Sequence, residues 1–223
     1  MGKGNGTQGK NKKMTEDSMN PYITEITPLT VAGWTFKVKT PNVNCHADIP
    51  AFFWSELGQK EYNKADSQQT YSTKEYFKKS NVIKHCEILL CYDTDPANEE
   101  FTYLFGRAIV HPDDLKNIPP DLEVVELSGL YAIFTTQPVP ARRDDLYGPA
   151  IKNLWHDIIN KWLPNSEFEY DNTRKDFEYY DIKDHGIFFD GNKQMDIYIP
   201  IRQSEKAFAK AKSKGFDFVE DYS

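Results

Sequence analysis

Apolar residues along this chain fall mostly into short alternating runs, and the order of those runs repeats. Leu29 to Lys39 (LTVAGWTFKVK) predicts a strand with Ala32, Trp34, Phe36 and Val38 on one face, and Gly33 leaves room there for a bulge or a close backbone approach. Ile49 to Lys64 predicts a helix entered through Pro50, with Ala51, Phe52, Trp54, Ser55 and Leu57 near helical spacing. The polar stretch 65–80 reads as an insertion or a short solvated helix. Cys86 to Tyr92 and Phe101 to Val110 then predict two strands joined in a hairpin by the turn-rich DTDPANEE.

The second half follows the same order. Leu122 to Thr136 (LEVVELSGLYAIFTT) predicts one strand, or two segments interrupted near Ser128–Gly129. Leu146 to Leu163 predicts an amphipathic helix, since Ile151, Leu154, Trp155, Ile158, Ile159, Trp162 and Leu163 form a single stripe before Pro164 and Asn165 end it. Asp176 to Tyr180 and Met195 to Ile201 (MDIYIPI) predict two more strands, separated by a polar segment with Gly186 and Gly191. Each half thus reads strand, helix, strand, strand. The expected fold is α+β: two such repeats, about 22–110 and 118–202, form one antiparallel sheet with both helices on one face and a ligand cleft on the other. Residues 1–20 are too polar to offset their ordering entropy and are expected to form a tail, with the domain over 21–203. Residues 204–223 are expected to form a short helix capped by Ser204 and a terminal tail.

Composition narrows the partners. The net charge of −7 disfavours a phosphate-binding surface, so direct nucleic-acid binding is not expected. No run of about 18 apolar residues is present to span a bilayer, and the N-terminus has no apolar signal segment, which places the protein in the cytoplasm and off the membrane. Three cysteines, Cys45, Cys86 and Cys91, leave an odd thiol and fit a reducing compartment. Cys45–His46 and His85–Cys86 lack a zinc spacing, so no metal site is expected and the thiols are read as buried or idle. There is no phosphate-cradling glycine loop and no serine elbow, and no cofactor is expected. The 14% aromatic content, with 13 Tyr, 14 Phe and 4 Trp, puts much of the apolar surface on rigid rings that suit ligand walls as well as cores.

Several segments together carry a resemblance. They are Gly106 with Val110, Ile118–Pro119, LYAIFTT at 130–136, KWLPNS at 161–166, KDFEYYD at 175–181 and MDIYIPI at 195–201. In this order and spacing the chain resembles the GyrI-like small-molecule-binding domain, the effector-binding domain of bacterial transcription activators, as a stand-alone member. The resemblance implies two repeats around an aromatic cleft, with a glutamate of an FE-x-Y segment facing the ligand. Glu178 takes that position and Tyr180 follows two residues on. Many relatives carry a helix-turn-helix module, for which the first 20 residues here are too short and too polar. Others resemble hydrolases of strained electrophilic natural products.

Strand alternation puts Glu178 and Tyr180 on one face and Phe177 and Tyr179 on the other. A carboxylate packed among rings is desolvated and its pKa rises, which suits it to attract a lipophilic cation or to act as a base near neutral pH. The plainer alternative is a solvated Glu178 paired with Lys175 or Arg174. Ligand-lining candidates are Glu178, Tyr180, Tyr131, Tyr103, Trp54 and Phe36, with Trp155 and Trp162 assigned to the core and Trp54 open to either role. The expected function is binding of an amphipathic small molecule, cations included. The alternative is a hydrolase in which Glu178 activates water and Tyr180 assists as proton donor or positioning group.

Overall fold

The computed structural model describes residues 20–39, 71–80, 86–95, 100–181 and 191–204, together with positions 60, 63, 67 and 82. The expected tail, the helix over 49–64 with Trp54, the Cys45–His46 and His85 positions and the C-terminal helix lie outside the described residues.

The first half supplies β1 (Tyr22–Lys39), α1 (Tyr71–Lys79), β2 (Glu87–Asp95) and β3 (Glu100–Ile109). The polar stretch therefore does contain a short helix, and it is not wholly solvated, because Phe77 meets the Trp34 ring edge-on at 6.4 Å. After the one-turn α2 (Pro112–Leu115), the second half supplies β4 (Glu123–Thr135), the short β5 (Val139–Pro140) and α3 (Asp144–Asp157). A π-helical turn over Ile158–Trp162 and a last turn, α4 (Leu163–Asn165), complete that helix before β6 (Phe168–Tyr170), β7 (Phe177–Tyr180), β8 (Asn192–Lys193) and β9 (Asp196–Gln203).

Helix α3 begins with Asp144 and Asp145, whose charges complement the helix N-terminus. It buries Tyr147, Ile151, Leu154 and Trp155. The π turn inserts extra backbone and lets Trp162 meet Phe134 edge-on at 4.9 Å.

Every strand pairing among the described residues is antiparallel. The units β1–β3–β2 and β4–β9–β7 have matching order, and they join at both edges, β1 to β4 and β2 to β7. Because β4 pairs with β9 as well as β1, six strands close into a barrel and β6 extends β9 outside it. The repeat expected from sequence is thus visible in the strands.

Closure corrects one part of that expectation. Among the described residues the face opposite α3 is the barrel interior, packed with Val31, Ile88, Leu90, Leu104, Leu127, Tyr131 and Phe177. Alternate residues of the same strands, including Phe101, Tyr103, Phe105, Phe134, Tyr180, Ile197 and Ile199, face outward and form a second core with Tyr147, Ile151, Leu154, Trp155 and Ile158 of the helix.

Two local features let so few strands close. Gly33 and Gly106 are directly paired between β1 and β3, and a Cβ on Gly33 would lie 2.6 Å from the Gly106 Cα, so the close backbone approach requires glycine. Between Ile26 and Leu29 the register of β1 against β4 shifts around Pro28, opposite Gly129 at φ +94°. β4 runs as one strand through Ser128–Gly129, and the extra residue of the bulge lies on β1.

Candidate functional site

Glu178 lies at the β2–β7 junction between the two repeat units, with Leu89 and Ile197 as its cross-strand neighbours. Its side chain points outward under α3 and is buried, at 5% exposure. The Trp155 indole Nε1 donates to Glu178 Oε1 at 2.8 Å, and the Tyr180 hydroxyl donates to Oε2 at 2.7 Å. Among the described residues no cationic side chain pairs with this carboxylate. Lys193 sits over the nearby Tyr147 ring at 5.6 Å but is bound to Asp144 at 2.7 Å.

Burial pushes the Glu178 carboxyl up to about 7; the two donors partly oppose that rise, and the neighbouring Asp176 charge adds to it. Tyr103 and Tyr180 are held well above the usual phenol range, first by burial and next by the Glu178 charge. Both therefore keep their protons at neutral pH. The arrangement is a buried, donor-held carboxylate inside an aromatic wall.

The structure brings four of the six sequence candidates to this face. Glu178, Tyr180 and Tyr103 face it together, and Phe36 joins through its ring contact with Tyr103 at 5.5 Å. Tyr131 is not among them. It is in the barrel interior, donates its hydroxyl to the Lys175 carbonyl at 3.0 Å and meets Phe177 edge-on at 5.5 Å. Trp54 lies outside the described residues. Neither proposed surface partner reaches Glu178. Arg174 binds Asp171 and the Ser128 and Ile201 carbonyls, while Lys175 Nζ lies 3.7 Å from the centre of the Tyr92 ring.

Sequence reasoning assigned Trp155 to the core, and it is buried there, yet its polar edge belongs to the site. The missed signal is that a buried indole needs an acceptor, and a carboxylate expected to lack a surface partner supplies one. Asp176, buried and accepting from the Tyr170 hydroxyl at 2.7 Å, shares this face of the strand and was likewise missed. Among the described residues no cluster of His, Cys, Asp and Glu is arranged to hold a metal ion, and no helix is long and apolar enough to cross a membrane.

The fold and this matched-repeat arrangement define a GyrI-like effector-binding domain, a small-molecule-binding class. The chain belongs to the family described as Cass2, integron-associated effector binding protein, whose model matches residues 22–201. Among solved structures it is similar to SAV2435 bound to tetraphenylphosphonium, at 15% identity and TM-score 0.49, covering 82% of this chain and 93% of that one. It is also similar to a putative transcription regulation protein from Staphylococcus aureus MU50, at 14% identity and TM-score 0.48, covering 82% and 99%. The integron cassette protein VCH_CASS2 of Vibrio cholerae is 19% identical with TM-score 0.43, covering 82% and 96%. No curated protein matches the chain in sequence.

Proposed function

We propose that the protein binds an amphipathic organic cation on the outer, α3-bearing face of the barrel, with Glu178 as counter-charge and Tyr103, Tyr180, Trp155 and Phe36 as aromatic wall. The observation that carries this reading is the buried Glu178 carboxylate, held by two hydrogen-bond donors and by no cation among the described residues. Burying an ionised carboxylate without a counter-charge costs several kcal/mol, and a ligand cation offsets that cost as it binds. Ring faces add about 0.5 to 2 kcal/mol for each cation–π contact. The acidic chain and its odd number of cysteines favour a small-molecule role in the cytoplasm over nucleic-acid binding.

A pair of probes of one shape tests the reading: methyltriphenylphosphonium, which is charged, and triphenylphosphine oxide, which is neutral. Glu178→Gln should weaken the cation by about 1.5 to 3 kcal/mol, the worth of a charge-assisted contact, and leave the neutral probe unchanged. Equal loss for both would remove the charge from recognition. If the protein were instead a hydrolase, the same substitution would leave substrate binding intact and abolish turnover. With both Glu178 oxygens already holding donors, the geometry favours binding over water activation.

A further inference from the structure

The two oxygens of Glu178 are not equivalent. Oε1 faces the Trp155 indole nitrogen, which only donates, so that oxygen must remain an acceptor. Oε2 faces the Tyr180 hydroxyl, which donates to it at 2.7 Å but is equally able to accept after rotation about its C–O bond. A proton can therefore be added at Oε2: the carboxylic acid then donates to the tyrosine oxygen, the tyrosine O–H gives up its bond to Oε2, and the indole bond is untouched.

The surroundings favour that protonated form. Glu178 is faced by Tyr180 of its own strand and by the buried Asp176 just before that strand, whose charge opposes a second negative charge beside it. Helix α3 contributes Trp155, and also Tyr147 against Tyr180. Tyr103 comes from β3, with Cys91 of β2 next to it. The cross-strand neighbours on β2 and β9 are the apolar Leu89 and Ile197. The cation recorded beside these groups among the described residues is Lys193, over the Tyr147 ring at 5.6 Å and bound to Asp144 at 2.7 Å, and it does not pair with Glu178.

We infer that the ligand-free protein stores a proton on Glu178, shared with the Tyr180 hydroxyl, and releases it to solvent when a cation binds, so that proton and ligand compete for one carboxylate. In the exchange the O–H bond at Oε2 breaks, the proton passes to water, and the Tyr180 hydroxyl turns back to donate. The inference rests on the cation-site reading for its second half only, because the stored proton is a property of the ligand-free protein. Its consequence is regulatory: affinity for a permanently charged ligand rises with pH up to about 7 and is flat above it.

Infrared difference spectra of the ligand-free full chain, taken from about pH 5 to about pH 9, read the first half directly. The expected result is a buried carboxylic-acid carbonyl band that disappears near neutrality and is missing in Glu178→Gln. In Tyr180→Phe, which removes a donor to the charged form, the band should survive to higher pH. A purely structural Tyr180 would not move that titration. A Glu178 that is carboxylate at every pH tested would overturn the inference. Calorimetry with methyltriphenylphosphonium in two buffers of different ionisation enthalpy reads the second half. Proton release of up to one per cation, largest below about pH 7 and lost in Glu178→Gln, is expected, with affinity falling about tenfold per unit of pH below that point. Cation binding without proton release would overturn the coupling. Failure of the cation to bind at all would instead overturn the proposed function, with the infrared titration still deciding whether the proton is stored.

Discussion

The barrel interior and the face under α3 are built from alternate residues of the same strands, and they handle charge in opposite ways. Inside, rings are met by the protein's own cations: the Arg174 guanidinium lies 5.4 Å from the Tyr131 ring centre and the Lys175 ammonium 3.7 Å from that of Tyr92. Outside, rings surround a carboxylate that has no cation among the described residues. The outer face does carry Lys193, over the Tyr147 ring and bound to Asp144, but among the described residues no cation pairs with the Glu178 carboxylate. Aromatic richness alone therefore does not mark a binding site; what distinguishes the two faces is the buried Glu178 carboxylate, with which no cation among the described residues pairs.

The largest effect that sharpens this contrast is expected inside. Phe177 is fully buried, stacked on Tyr198 at 4.3 Å and edge-on to Tyr131. Phe177→Ala should cost about 3 to 5 kcal/mol in denaturant unfolding, through lost transfer energy and the cavity left behind. Residual cation affinity, measured under conditions where the variant is still folded, should match the wild type. A selective loss of affinity without loss of stability would mean that the interior belongs to the site.

The next effect concerns Glu178 and has a defined sign. Its folded-state value of about 7 lies above the ordinary 4.5, so between those limits the folded protein holds a proton that the unfolded chain has released. Stability is therefore full below about pH 4.5 and falls as pH rises to about 7, by about 3 kcal/mol in total from this group. Glu178→Gln resembles the protonated form in shape and hydrogen bonding. It should abolish that slope and be more stable than wild type above about pH 7. Denaturant midpoints measured across this pH range check both, and an unchanged slope in the variant would assign it to another group.

Sequence carried the strands further than it carried the site. Alternation in LYAIFTT, FEYY and MDIYIPI is a direct record of two-sided burial, so the pairing units and the opposed faces of Phe177 and Glu178 were legible. Closure was not, because it depends on β4 meeting β9 at long range and on Gly33 facing Gly106, neither of which leaves a local pattern. For that reason the cleft was expected on the face that proves to be the barrel interior. Tyr131 falls on the other face from Glu178 for the same cause: a tyrosine on a strand shows which neighbours share its face but not which face is inside. Trp155 shows the converse limit, since helical spacing reveals burial and says nothing of where an indole nitrogen ends.

The smallest expected effect is the most discriminating, and it concerns Tyr131. Its hydroxyl donates to the Lys175 carbonyl, and its ring packs edge-on against Phe177 and Tyr198 beneath the Arg174 guanidinium. Tyr131→Phe retains the ring and every one of those ring contacts, and removes one hydrogen bond, so stability should fall by only about 1 kcal/mol. If the two faces are separate, methyltriphenylphosphonium should bind the variant as it binds the wild type, whereas Tyr180→Phe on the outer face should alter both its affinity and the pH at which that affinity levels off. An approximately tenfold loss in Tyr131→Phe, about 1.4 kcal/mol, would be too large for a distant hydroxyl to explain and would place the interior tyrosine in contact with the ligand. The barrel would then have to open for binding, and the division between the two faces would no longer describe the molecule.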